Sequence, residues 1–245
     1  MADNFKKIGN WIYQDLPAVS STNDAVLDLL HLCHAPCILS AAAQTKGRGR
    51  LGRSWEGCNG NLFVSFACEI PTKQITHYAI ISALAVFNTI RFFAPDMLVQ
   101  IKWPNDVLVS EKKISGILFE KGPDNYWVMG IGINVAHTPK IKNLLYEATS
   151  LADLNIQTNR LDVLTKLVSE FDTLRQIYQT SGFSYIKSLW LDNSYQRGNK
   201  VIIKQNGTEI TGILKDLDAN GNLILQTENG FQTLCAGDLY KKDNK

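Results

Sequence analysis

Between Gln44 and Trp55 the chain reads Gln-Thr-Lys-Gly-Arg-Gly-Arg-Leu-Gly-Arg-Ser-Trp. From Lys46 onward this stretch holds four basic side chains, three glycines and one indole. Glycine lets a backbone approach a ligand closely and take conformations closed to other residues. Arginine offers a planar fork of donors that matches carboxylate and phosphate oxygens. Trp55 adds a face for a flat heterocycle or a cation. The chemistry is that of a loop closing over a polyanion that also carries a base, and a nucleoside triphosphate fits.

Two simpler readings fail on context. Gly47, Gly49 and Gly52 spell G-x-G-x-x-G, but that dinucleotide fingerprint belongs between a strand and a helix. Here the turn-forming run Glu56-Gly-Cys-Asn-Gly-Asn61 follows. No G-x-x-x-x-G-K-[ST] is present, so there is no P-loop. A generally basic nucleic-acid surface is also disfavoured. The chain carries 25 Lys and Arg against 23 Asp and Glu, a net charge of +2, with the cations concentrated in this loop.

Four other segments carry chemistry. Lys102-Trp-Pro-Asn-Asp106 places a base, an amide and an acid around a proline-stiffened turn, and Lys113-Ile-Ser-Gly116 opens a strand with a cation. Gly130-Ile-Gly-Ile-Asn134 puts glycines in a strand, which marks close approach by a ligand or another backbone. Ser21-Thr-Asn23 presents small hydrogen-bonding groups at a helix start. Each has a plainer reading as a turn or a cap, and only their combination with the Gly/Arg loop favours function. The cluster His31-Leu-Cys33-His34-Ala-Pro-Cys37 has zinc-ligand residue types. No second ligand pair follows at finger-like spacing, so it reads as a helix end, a break at Pro36 and a buried strand residue.

The elements that must position these groups follow from periodicity. A helix begins near Ser21 or Thr22, with Asp24 in its first turn. Strands are expected over Cys37–Ala43 and Leu62–Cys68, then an apolar helix over His77–Phe93. Strands over Leu98–Trp103, Asp106–Val109, Lys113–Glu120 and Tyr126–Val135 are joined by short turns and predict an antiparallel meander. Helices follow over Arg160–Gln179 and Phe183–Leu191. After Asn193 come short strands at Val201–Lys204, Glu209–Leu217, Asn222–Gln226 and Phe231–Leu234, with Asn-Gly at 206–207, 220–221 and 229–230. Asn-Gly is the strongest short hairpin signal, so about 50 residues read as a small β-barrel. The expected fold class is α+β, with domains at 1–193 and 194–245.

Length and an ordinary composition, 45% hydrophobic and 20% charged, suit one large domain and one small one. The start lacks a signal-peptide core, and no apolar run reaches membrane-spanning length. Five cysteines suggest no disulfide framework. A cytoplasmic protein with no membrane partner is expected.

Taken together, Ser21-Thr-Asn23, Gln44 with Gly47–Trp55, Lys102–Asp106, Lys113–Leu118 and Gly132-Ile-Asn134 resemble the biotin–protein ligases, the biotin-[acetyl-CoA-carboxylase] ligases. They stand in that family's order, and the resemblance spans the chain. It implies a catalytic domain of the class II aminoacyl-tRNA synthetase-like type and an SH3-like C-terminal β-barrel. It also implies a two-step reaction: biotin and ATP give biotinyl-5′-AMP, and a lysine of the biotin carboxyl carrier protein of acetyl-CoA carboxylase then takes the acyl group. Family members that repress transcription carry an N-terminal winged helix. The motifs here begin by Ser21, so the resemblance is to the ligase-only class, with no DNA partner and a monomer or homodimer expected.

By the match, Ser21, Thr22, Asn23 and Gln44 hold biotin's polar ring, and Gly47, Arg48, Gly49 and Arg50 close over the ligand. Gly116 gives access beside biotin. Arg50 and Arg53 face phosphates, Trp55 packs near adenine, and Lys102, Asn105 and Asn134 support the nucleotide. Lys113 bridges the biotin carboxylate and the α-phosphate and, with Arg50, is catalytic. Asp106 positions Mg²⁺, directly or through water. The nearest alternative enzyme is a lipoate ligase or acyltransferase, which the Gly/Arg loop and Lys102–Asp106 disfavour. A non-catalytic nucleotide- or nucleic-acid-binding module is the alternative of another kind.

Overall fold

Alternation of apolar residues along eight short segments builds one large sheet. The computed structural model describes residues 5–139, 147–205 and 207–242. Its elements in chain order are β1 (Lys6–Ile8), β2 (Trp11–Leu16), α1 (Thr22–Cys33), β3 (Cys37–Ala41), β4 (Leu62–Glu69), α2 (Ile75–Phe93), β5 (Val99–Lys102), β6 (Asp106–Val109), β7 (Lys112–Lys121), β8 (Tyr126–Ile133), α3 (Arg160–Asp192), β9 (Lys200–Gln205), β10 (Thr208–Leu217), β11 (Leu223–Thr227), β12 (Gly230–Leu234) and β13 (Asp238–Lys241). The first sheet runs β1-β2-β3-β4-β8-β7-β6-β5. Every neighbouring pair is antiparallel except β2–β3, which is parallel.

Side chains alternate across this sheet, so its two faces differ. Leu62, Val64 and Phe66 of β4 join Met129, Ile131 and Ile133 of β8 in the main core beneath α2 and α3. There Trp11, Phe66 and Phe171 interlock, with Trp11 edge-on to Phe66 at 5.4 Å and its Nε1–H donating to Asp172 Oδ1 at 2.9 Å. On the other face α1 packs Val26, Leu29 and Leu30 on Cys37, Leu39, Ala67 and Val128. This second layer covers only part of the sheet, and the first turn of α1 reaches β8, where Asn23 lies against Gly130. Helix α2 is apolar and long enough to cross a membrane by length and composition, yet it is largely buried here against α3 and β5.

Strand and helix bounds follow the pattern-based expectation to within a few residues. The strands β1, β2 and β13 were not expected. Two of them hold only three or four residues, too short to show a period. Pro36 does separate α1 from β3, with His34 closing the helix in the left-handed conformation. At the other end Ser21 occupies the N-cap position as expected, but without a side-chain cap bond. Neither Ser21 nor Thr22 caps α1 with its own side chain; the Thr22 amide donates instead to Gln44 Oε1 at 2.7 Å.

The C-terminal strands form the small β module expected there, as an antiparallel sheet ordered β12-β11-β10-β9-β13. Its ladder is open among the described residues, so it is not a closed barrel. Asn206, of the first Asn-Gly turn, lies outside the described residues. The module leans on the kinked end of α3 and on α2: Lys187 Nζ donates to the Leu217 carbonyl at 2.9 Å, and His77 of α2, stacked on Phe183 at 3.7 Å, lies 3.0 Å through Nε2 from the Ala219 carbonyl.

The kink itself is at Gly182, which separates the two helical stretches that periodicity predicts. With φ 74° and ψ 178° it occupies a region essentially reserved for glycine, and a Cβ there would meet nothing within 4 Å. Gly182→Ala is therefore expected to destabilise the fold by about 1–3 kcal/mol through backbone strain alone. The check is a lowered urea midpoint at unchanged denaturant slope; an unchanged midpoint would show that the kink does not need glycine.

Candidate active site

Three glycines of the central strands make a floor without side chains. Gly116 of β7 pairs with Gly132 of β8, and Gly130 lies two residues away on the same face. The space a Cβ would take is already used. At Gly132 it would overlap the Trp55 indole, at Gly116 it would come within 2.8 Å of Trp55 Cζ3, and at Gly130 it would overlap the Asn23 carboxamide. The close approach read from Gly130 and Gly132 is thus made by two side chains of the predicted site. Above this floor is a cavity of about 430 Å³ between α1, the Gly/Arg loop, the β5–β6 turn and the start of the C-terminal β13.

One end of the cavity is a neutral polar network. Ser21, Thr22 and Asn23 are all buried at the start of α1. Gln44 Oε1 accepts from the Thr22 amide and, at 3.1 Å, from its hydroxyl. Ser65 of β4, buried beneath them, lies 2.8 Å from Thr22 Oγ1 and 2.6 Å from Asn23 Oδ1. Asn23 Nδ2 donates to Glu120 Oε2 at 2.6 Å. Such a set offers donors and acceptors in fixed directions, which suits a small polar ring.

The other end is cationic. Lys102 and Asp106 face each other across the β5–β6 hairpin, whose turn contains a cis Trp103–Pro104 bond. Lys102 is only 4% exposed, and burial draws its ammonium down to about 8, against the pull of Asp106. Lys113 Nζ lies 2.7 Å from Asp106 Oδ1 and 5.4 Å from the centre of the Trp55 ring. The Lys113 backbone is pinned on both sides, its N–H to Glu147 O and its carbonyl to Thr149 N–H. Asn134 is buried and donates its side-chain amide to Thr149 O at 2.9 Å, so it also braces the segment beside Lys113.

The Gly/Arg loop spans both ends, and its three arginines are held differently. Arg48 is clamped by acids: Nη1 and Nη2 reach the two oxygens of Asp24 at 2.9 and 2.7 Å, and Nη2 reaches Glu120 at 3.0 Å. That clamp holds the Asp24 carboxyl below its usual range and the Arg48 guanidinium above its own. Arg53 is ion-paired with Asp238. Arg50 bonds neutral oxygens, Asn105 Oδ1 at 3.1 Å and the Gly237 carbonyl at 3.3 Å. Burial lowers the Arg50 pKa, although Asp238 and Asp106 oppose it. A partly buried guanidinium held by neutral oxygens has its charge left for an anion.

The structure gathers Ser21, Thr22, Asn23, Gln44, Arg48, Gly49, Arg50, Arg53, Trp55, Lys102, Asn105, Asp106, Lys113, Gly116 and Asn134 around this one cavity. Gly47 stands behind it: its carbonyl accepts from Trp55 N–H at 2.9 Å, and a Cβ would crowd the Trp55 carbonyl. Sequence reasoning missed Asp24, Ser65, Glu120 and Asp238. Asp24 had been read only as a first-turn acid, and the other three had no local motif to mark them. Among the described residues no group of three or more His, Cys, Asp or Glu is placed to hold a metal. Cys33 and Cys37 are free thiols, and burial raises the pKa of Cys37.

Comparison with known proteins finds relatives that match along most of the chain. Residues 16–134 match the family model described as the biotin/lipoate A/B protein ligase family, and residues 198–242 match that of the biotin protein ligase C terminal domain. The bifunctional ligase/repressor BirA of Bacillus spizizenii is 30% identical over 243 residues, covering 93% of this chain and 73% of that one. The biotin--[acetyl-CoA-carboxylase] ligase of Paracoccus denitrificans is 29% identical, covering 92% of this chain and 98% of that one. The solved structure of the Aquifex aeolicus biotin protein ligase in complex with biotin and ATP superposes with a TM-score of 0.82 at 28% identity, covering 93% and 97% of the two chains. This chain belongs to the biotin/lipoate A/B protein ligase family, and within it to the biotin protein ligases.

Proposed function

We propose that this ligase activates biotin with ATP as biotinyl-5′-AMP and transfers the acyl group to one lysine of a biotin carboxyl carrier protein of the acetyl-CoA carboxylase type. The observation that carries the reading is the meeting of a neutral polar network and a cluster of cations in one cavity, over a floor that lacks side chains. The Aquifex relative's complex with biotin and ATP and the Paracoccus relative's name support it. In this reading residues 1–193 bind biotin and ATP, residues 194–245 form the second domain, and the reaction takes place in the cytoplasm.

In the first step a biotin carboxylate oxygen attacks the α-phosphorus, and the bond to the bridging oxygen breaks to release pyrophosphate. In the second step the carrier amine attacks the acyl carbon, the acyl–phosphate bond breaks to release AMP, and the amine gives up a proton to solvent. Neither step needs a nucleophile from the enzyme. Both need two anions held together and developing charge neutralised. Ser21, Thr22, Asn23 and Gln44 take the polar ring, and Lys113 of the cationic end bridges carboxylate and α-phosphate. Arg50 and Arg53 take phosphates, Trp55 packs with the base, and Lys102 and Asn105 flank the nucleotide, with Asn134 bracing the segment beside Lys113. The residue that fits Mg²⁺ is Asp106, a carboxylate at the cationic end whose buried Oδ1 has Lys113 Nζ at 2.7 Å, so that the ion would share this carboxylate with the ammonium. Bound there with the triphosphate, directly or through water, the ion would neutralise phosphate charge.

A lipoate ligase of the same family is the competing enzyme, and calorimetric titration with biotin and with lipoate separates the two.

Lys113→Ala is expected to slow biotin-dependent pyrophosphate release on the order of 100-fold or more, as loss of a preorganised charge does; wild-type release would remove the bridging role. Lys102 supplies a second test. Its pKa of about 8 means that part of the population is neutral near pH 8. A triphosphate beside it favours the charged form and raises that pKa, so ATP binding at and above pH 8 takes up protons, and the uptake fades well below pH 8, where Lys102 is already charged. Calorimetry in buffers of different ionisation heat measures this uptake. Lys102→Met should abolish it, and no uptake in the wild type would separate Lys102 from the phosphates.

A further inference from the structure

Glu120 near the end of β7 is the acceptor shared by the two halves of the site. Its Oε2 receives Asn23 Nδ2 at 2.6 Å from the polar network and Arg48 Nη2 at 3.0 Å from the Gly/Arg loop. Asn23 is 5% exposed and is further fixed through Oδ1 by Ser65. The Arg48 side chain, by contrast, is 40% exposed and grips Asp24 as well. We infer that Glu120 is a positioning residue that couples occupation of the polar end of the cavity to closure of the Gly/Arg loop. The inference rests on the biotin and ATP reading above.

The physical argument concerns one oxygen with two donors. A carboxylate that turns to follow one donor changes its geometry toward the other. A ligand ring that bonds Asn23 restricts the carboxamide, and the carboxamide then restricts Glu120. A fixed Glu120 beside Asp24 makes a preformed two-carboxylate socket for Arg48, so the loop loses less freedom on closing. Two acids facing one guanidinium also leave the cluster short of positive charge, which favours holding Arg48 there rather than releasing it. Coupling of this kind is reciprocal: whatever biotin does for loop closure, the closed loop does for biotin retention. Gly130 belongs to the same device, because a Cβ at that position would collide with Asn23 Oδ1, the oxygen that Ser65 holds, and shift the carboxamide.

Trypsin cleavage after Lys46, Arg48, Arg50 and Arg53 reads loop closure directly. In the full-length wild type, biotin alone should slow this cleavage roughly tenfold, the scale of a charge-assisted hydrogen bond discounted for partial exposure. Glu120→Gln should reduce that protection to about twofold or less, while calorimetric biotin affinity falls by a smaller factor. Arg48→Gln should lose the protection equally at the remaining sites, and the double variant should lose no more than either single one. Wild-type protection in Glu120→Gln, or losses that add in the double variant, would overturn the coupling. So would a Glu120→Gln protein that loses biotin binding yet keeps the loop response to ATP, since Glu120 would then serve the polar pocket alone. If Glu120→Gln does not fold, Arg48→Gln and Asp24→Asn decide the question, because neither side chain bonds the Asn23 carboxamide. A wild type that binds no biotin in the calorimeter would instead refute the reading of the cavity, and that result is visible before any variant is made.

Discussion

Holding like charges close together in one cavity is the constraint on which this structure turns. Five basic and three acidic residues line one cavity of about 430 Å³. Lys102 illustrates the cost: at 4% exposure its ammonium falls to about 8 even with Asp106 opposite. A protein keeps such a group in place only if the backbone beneath it is rigid. Here the strand pairs β5–β6 and β7–β8 supply that rigidity, and they rest on α2 and α3 through a core that continues into the C-terminal module. The size of the main core makes sense in this light, because it anchors the strands that carry Lys102, Asp106 and Lys113.

The C-terminal module contributes more than mass. Gly237 offers its carbonyl to Arg50, and Asp238 pairs with Arg53. Both residues stand at the start of β13, whose register against β9 is fixed from Asp238 to Lys241. The module thus carries an acid to the cationic end of the cavity, where it partly neutralises the loop. A phosphate entering that end competes with Asp238 for Arg53 but meets no carboxylate on Arg50. The two arginines, alike in sequence, are therefore unequal in electrostatic setting.

Local chemical density decides what could be read from the chain. The Gly/Arg loop, Lys102–Asp106 and Lys113 were legible because each packs several unusual residue types into a few positions. Gly130 and Gly132 were legible as close approaches, though not what approaches them. Glu120 was not, because its partner Asn23 is 97 residues away; nor was Asp238, 185 residues from Arg53. An acid at such a distance carries no signal until the sheet brings it across. The α1 cap shows the same limit: Ser21 and Thr22 have the right types, yet Gln44, 22 residues on, takes the Thr22 amide. Strand existence was clear where alternation ran long, while β1 and β13 are too short to display a period.

The loop's fastenings also set how tightly it can be held. Arg48 on Asp24 and Glu120, and Arg53 on Asp238, are ion pairs with substantial solvent exposure on at least one side. Pairs of this kind contribute at most about 1 kcal/mol each. Two such fastenings with glycines between them hold a loop only marginally, so bound ligand must supply the remaining closure energy. That margin suits the chemistry. In the proposed reaction an adenylate must be shielded from water while it waits, then exposed to a carrier lysine. A loop locked by strong buried pairs would do the first and prevent the second, whereas one with no fastening would do neither. Weak ends with Arg50 between them would let the phosphate of the proposed adenylate complete the closure, and its departure as AMP undo it.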